Sequence, residues 1–93
     1  MEFQWDERKN QTNIEKHQIS FQEAATVFYD PCARVIFDPD HSQEEERFII
    51  LGFSSAARIL VVCHCYRGPE DSVRIISARK ADRFEREQYR SFL

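Results

Sequence analysis

Glycine and proline are scarce, with two Gly and three Pro in 93 residues. Few backbone breakers mean continuous helices and strands with short joints. Low-complexity and disordered classes are excluded as well, because the chain is 42% hydrophobic and 13% aromatic, with eight Phe. Long hydrophobic runs are missing. The apolar run from Ile59 to Tyr66 falls far short of the ~20 residues of a membrane span. No secretion-signal pattern precedes Trp5. Cysteine is too rare for a disulfide framework, since Cys32, Cys63 and Cys65 cannot all pair. The expectation is a reduced, cytoplasmic protein without membrane contact, folded as a single domain over residues 1–93.

The net charge of −3 hides an asymmetry. Up to Glu46 there are four Lys and Arg against eleven Asp and Glu, and from Arg47 onward there are nine against five. Eight of those nine cations are Arg, the side chain best suited to fork onto phosphate. One basic face on an acidic body follows from that split, although solvated arginines paired with nearby Glu give the same count.

Phe3-Gln4-Trp5 alternates enough for a short edge strand. Asp6 can cap a helix from Glu7 to about Lys16, which is poor in apolar residues and so expected to lie exposed, held by Trp5 and Ile14. Ser20-Phe21-Gln22-Glu23 has the capping-box pattern. It opens a helix to about Tyr29 with Phe21, Ala24, Ala25 and Phe28 on one face, ended by Asp30-Pro31. Strand-like runs follow at Ala33–Asp38, Arg47–Phe53, Arg58–Tyr66 and Ser72–Arg79, with a polar loop from Asp38 to Glu46. Asp82-Arg83-Phe84-Glu85 starts a last helix with Phe84, Gln88 and Tyr89 directed inward. The prediction is an α+β fold: two N-terminal helices packed on a four- to five-strand antiparallel sheet, plus a C-terminal helix, with the second sheet face open for function.

Cys63-His64-Cys65 has metal-ligand residue types, but alternation along a strand puts His64 opposite the two cysteines. No metal and no cofactor are expected. The stronger constellation is distributed: Arg47, Arg58, Arg67, Arg74, Arg79 and Lys80 lie on or beside the three long strands. Strict alternation separates Arg74 from Arg79 unless the strand twists or bulges. Glu46 and His41 sit near the entrance of one strand. Without further information, a non-catalytic nucleic-acid-binding or protein-interaction module fits these residues as well as an enzyme does.

Phe3-Gln4-Trp5-Asp6, Lys16-His17, Ser20 to Ala25, Asp38-Pro39-Asp40-His41, Glu46-Arg47 and Arg74 to Ala81 resemble, in order and spacing, the BrnT family of bacterial type II toxins. The resemblance implies a RelE-like fold and a metal-independent endoribonuclease that cleaves RNA and inhibits translation. It also implies a cognate antitoxin, BrnA, which carries the DNA-binding domain and with the toxin represses their own operon as a 2:2 heterotetramer. RNA is then the substrate, and operator DNA is met only through the antitoxin. RelE-type motifs do not transfer residue by residue, so roles are assigned from the basic constellation. Arg79 and Arg74 stabilise phosphate, Lys80 or His64 moves protons, and Arg67 and Arg47 position RNA, with His41 and Glu46 as second-tier candidates. RNA is expected on the basic half of the sheet, with a basic segment of the antitoxin wrapping the acidic N-terminal helices or plugging the cleft.

Overall fold

The computed structural model describes residues 1–37, 46–68 and 72–93. Strand β1 (Glu2–Gln4) leads into helix α1 (Glu7–His17) and helix α2 (Phe21–Thr26), which tightens into a 3₁₀ turn over Val27–Tyr29. Strands β2 (Arg34–Phe37), β3 (Phe48–Phe53), β4 (Ile59–Tyr66) and β5 (Ser72–Lys80) follow, and helix α3 (Arg83–Arg90) ends the chain. The strands form one sheet in the order β1-β5-β4-β3-β2.

The sheet is mixed rather than antiparallel, because β1 runs parallel to β5. The four strands from β2 to β5 form the expected antiparallel meander. Strand β1 joins at the far edge instead, and α1 and α2 carry the chain back across the sheet, so no hairpin dictates its direction.

Helix α2 and the 3₁₀ turn cover one face of the sheet. Phe21, Ala24 and Val27 pack there on Ile50, Leu60, Val62, Val73, Ile75 and Ala78. The second face carries a smaller cluster in which Tyr89 of α3 meets Leu51, Val61 and Ala81, with Phe92 against it. The second face is therefore half covered by α3 rather than wholly free.

Helix α1 is not held by apolar contacts alone, as its composition suggested. Asn10 and Asn13 are buried in it. Asn10 Oδ1 accepts the Phe21 N–H at 2.8 Å. The Asn13 amide donates to Ala78 O at 2.8 Å and accepts the Ala78 N–H at 3.1 Å. Strand β1 pairs β5 only as far as Arg74. Beyond that point the Asn13 side chain does what a neighbouring strand would do, satisfying both backbone groups of Ala78. This interaction fixes α1 along the β5 edge, where its C-terminal residues can reach the rim of the second face.

The Ser20 box forms by half. Ser20 Oγ accepts the Glu23 N–H at 3.0 Å, while the Glu23 carboxylate is taken by Arg58 Nε at 2.8 Å and Ser54 Oγ at 2.7 Å. Asp82 and Glu85 form a complete capping box. Phe84 nevertheless points outward at 78% exposure. The inward face of α3 is set by the Tyr89 contact, which leaves Phe84 and Gln88 in solvent.

Candidate nucleic-acid interface

The site is built around an irregularity in β5. In register, Cys63 faces Ser77, but the next residue, His64, faces Ile75, so Ile76 is an extra residue in β5. A bulge of this kind reverses the alternation beyond it. Arg79 lies opposite Val61 and Arg74 opposite Cys65, and Val61 and Cys65 share a face by strand geometry. The bulge thus brings Arg74 and Arg79, which strict alternation would have separated, onto the same, second face. Arg47, one residue ahead of Phe48, also falls on it, since Phe48 pairs with His64 on the other.

A cleft of about 250 Å³ opens on this face, with Arg47, Arg79, His17, Ser77, Cys63 and Ile76 among its lining residues. Arg47 Nε is buried there and has no hydrogen-bond partner among the described residues. Burying an unpaired guanidinium N–H is costly, and an acceptor entering the cleft would relieve that cost. Arg79 is gripped by α3: its two terminal nitrogens donate to Glu85 Oε1 and Oε2 at 2.7 and 2.8 Å. The pairing holds the guanidinium charged above its ordinary pKa and the Glu85 carboxyl below its own. Arg79 is thereby a fixed cation at the rim of the cleft. Arg74 donates to Gln4 Oε1 at 3.4 Å and stands about 15 Å along the strand from Arg79 by the usual rise per residue.

Other predicted site residues lie elsewhere. His64 is completely buried on the helix-covered face. Its ring contacts Phe28, Phe48 and Tyr66, and Nδ1 lies 3.2 Å from Val62 O. Burial lowers its pKa and favours the neutral ring. Lys80 pairs in register with Leu60, so it too belongs to the helix-covered side, near Glu23. Neither candidate for proton transfer faces the cleft. Arg67 is exposed past the end of β4, its N–H bonded to Ser72 O, and Glu46 is exposed beside Arg47. His41 lies outside the described residues. Among the described residues, no three His, Cys, Asp or Glu side chains converge as a metal site.

His17 was missed as a site residue. It is the last residue of α1 and lines the cleft. Its placement depends on Asn13 binding the β5 edge, a contact between residues 65 positions apart. The local signals were a histidine in the last turn of a helix and its place in the Lys16-His17 pair of the family pattern.

A family model described as "Ribonuclease toxin, BrnT, of type II toxin-antitoxin system" matches residues 5–85. Among solved structures, the chain is similar to the Brucella abortus ribonuclease toxin BrnT, with 28% identity and a TM-score of 0.68. The match covers 89% of this chain and 99% of that one. No curated protein sequence matches it.

Proposed function

The chain belongs to the BrnT family of ribonuclease toxins of type II toxin–antitoxin systems, and on that premise we propose that it cuts RNA in the cleft between Arg47, His17 and Arg79 and so arrests translation. The observation that carries this reading is the buried Nε of Arg47, without a partner among the described residues, in a cleft rimmed by a second, fixed arginine. Two guanidinium groups there suit a phosphodiester, whose charge grows as a fifth oxygen approaches phosphorus.

In the proposed reaction His17 accepts the proton of the ribose 2′-hydroxyl, and the freed oxygen attacks the adjacent phosphorus. Arg47 and Arg79 hold the extra negative charge. The bond from phosphorus to the 5′-oxygen breaks, and that oxygen takes a proton from water. The products are a 2′,3′-cyclic phosphate and a 5′-hydroxyl, and His17 returns its proton to solvent. Imidazole suits this role because a ring nitrogen can both accept a proton and release it. Arg74 lies on the same face as a further RNA contact, with Arg67 beyond it at the end of β4.

Family membership implies an antitoxin partner. The proposed partner is a BrnA-like protein that binds in a 2:2 complex, carries the operator-binding domain and represses the operon. Three cysteines, an odd number and too few for a disulfide framework, support a cytoplasmic setting.

The test is purified protein incubated with RNA in EDTA, with and without antitoxin. Cleavage ending in cyclic phosphate, abolished by antitoxin, is the expected outcome. Arg79→Ala and His17→Gln should each lower kcat by about 10²–10³ with folding intact, the range for a lost charge-stabilising or proton-transferring group. Salt-sensitive RNA binding without products would establish a binding module instead.

A further inference from the structure

The cleft does not end at His17. A second groove of about 270 Å³ adjoins it along α1 and shares His17, Ile76 and Ser77 with it. Its outer wall carries Arg8, Lys9 and Lys16. Arg8, Thr12 and Lys16 recur every four residues, so they form one stripe on the helix surface. From Arg8 to Lys16 the stripe runs about 12 Å at the helical rise.

These cations differ from the arginines held in ion pairs with carboxylates of the chain. Arg58 is tied to Glu23 and Arg79 to Glu85. None of Arg8, Lys9 and Lys16 is ion-paired among the described residues. The two carboxylates of α1 do not line the groove. Glu7 instead accepts bonds from Trp5, Asn10 and Gln11.

The N-terminal part of the chain is acidic in total, yet the face it turns toward the cleft is basic. We infer that the α1 groove is a second RNA-binding site, which takes the sugar–phosphate backbone flanking the scissile bond through Arg8, Lys9 and Lys16. This rests on the reading of the Arg47–Arg79 cleft as the place of cleavage, since a strand lying there continues into the groove past His17. An extended track of point charges binds backbone without choosing sequence. It also resolves how a protein of net charge −3 binds a polyanion, because affinity follows the local cations rather than the net charge.

The experiment uses the full chain with Arg8→Gln, Lys9→Gln and Lys16→Gln combined, all exposed positions on a helix that glutamine suits. Binding is measured on a 2′-O-methylated RNA of twelve nucleotides, which cannot be cut because its nucleophile is blocked. Cleavage is measured on an unmodified twelve-nucleotide RNA and on a dinucleotide. The triple variant should bind the long RNA ten- to hundredfold more weakly at low salt. Its slope of log affinity against log salt should be shallower by about 2, from ~0.7 per lost single-strand phosphate contact. Saturated kcat on the long RNA and cleavage of the dinucleotide should stay at wild-type levels.

Unchanged affinity and slope for the long RNA would overturn the inference. So would loss of antitoxin binding with RNA affinity intact, which would give the groove to the partner protein. A wild-type protein that cuts no RNA but shows the slope change would overturn the cleavage reading alone and leave the groove as an RNA site.

Discussion

Gly52 in β3 has no room for a side chain. A Cβ there would lie 2.7 Å from the Ala33 Cβ and 2.8 Å from a Val27 methyl, with an Asp30 oxygen at 3.2 Å. The same Asp30 carboxylate accepts the Phe53 N–H and the Tyr89 hydroxyl, so its displacement would be felt on both sides of the sheet. Gly52→Ala should cost about 1–3 kcal/mol, the usual penalty of overpacking. Urea denaturation measures it, and an unshifted midpoint would contradict the close packing. Nothing in the flanking residues Ile49, Ile50 and Leu51 distinguishes Gly52 from an ordinary strand position. Its importance is tertiary.

His64 shows how residue type misleads when burial is unknown. Its chemistry suggested proton transfer, but its pKa is lowered by burial among aromatic rings, and Nε2 has no partner among the described residues. The folded state holds the neutral ring, whereas the unfolded chain gains a proton below about 6.5. Stability is therefore fully present above that pH and declines as pH falls below it. The lowered Glu23 and Glu85 carboxyls begin to lose their contributions only nearer 4.5. The wild type should lose Tm between pH 7.5 and 5.5, and His64→Phe should remove that drop. RNA cleavage at pH 7.5 should be unaffected, since the ring does not face the cleft. An equal drop in Tm in both proteins would mean that another group titrates.

At the scale of the element, α3 does two jobs with one residue. Glu85 completes the capping box by accepting the Asp82 N–H at 2.9 Å, and the same carboxylate holds Arg79. The helix is anchored at its other end by the 2.6 Å bond from the Tyr89 hydroxyl to Asp30. Burial and that carboxylate push the Tyr89 phenol up to about 12. An arginine aimed by a clamped carboxylate is preorganised, and such orientation is what a misplaced group loses. Glu85→Gln should lower kcat about tenfold with little change in KM, because Gln cannot hold the fork at both oxygens. Asp82→Asn serves as the control, since it weakens the cap and removes only a secondary charge near Arg79 while leaving the Glu85 fork in place. Equal activity of the two variants would mean that Glu85 only caps. The capping pattern at Asp82 was legible in the sequence, but the second partner was not.

At the scale of the whole molecule, the elements were legible because their signals are local. Caps at Asp6, Ser20 and Asp82 form as their residue types dictate, and Pro31 marks the end of the helical segment. The resemblance to the BrnT family was equally legible, since it lies in the order of motifs. Other features depend on contacts between distant residues. Asn13 on Ala78 decides that α1 closes an edge rather than lying loosely on the sheet. The charge split along the chain pointed to the C-terminal half for RNA, yet α1 turns Arg8, Lys9, Lys16 and His17 toward the same groove. A linear count of charges cannot see which side of a helix faces a partner.

The sequence alone determined helix ends, strand runs and the family, because caps, alternation and motif order are short-range properties of the chain. The tertiary structure decided which cations share a face. One extra residue at Ile76 shifts the register of β5 and brings Arg74 onto the face of Arg79, while the packing of α2 and the 3₁₀ turn on the other face buries His64. A bulge is settled by pairing with a neighbouring strand, through hydrogen bonds between residues far apart in sequence, and so local pattern does not contain it.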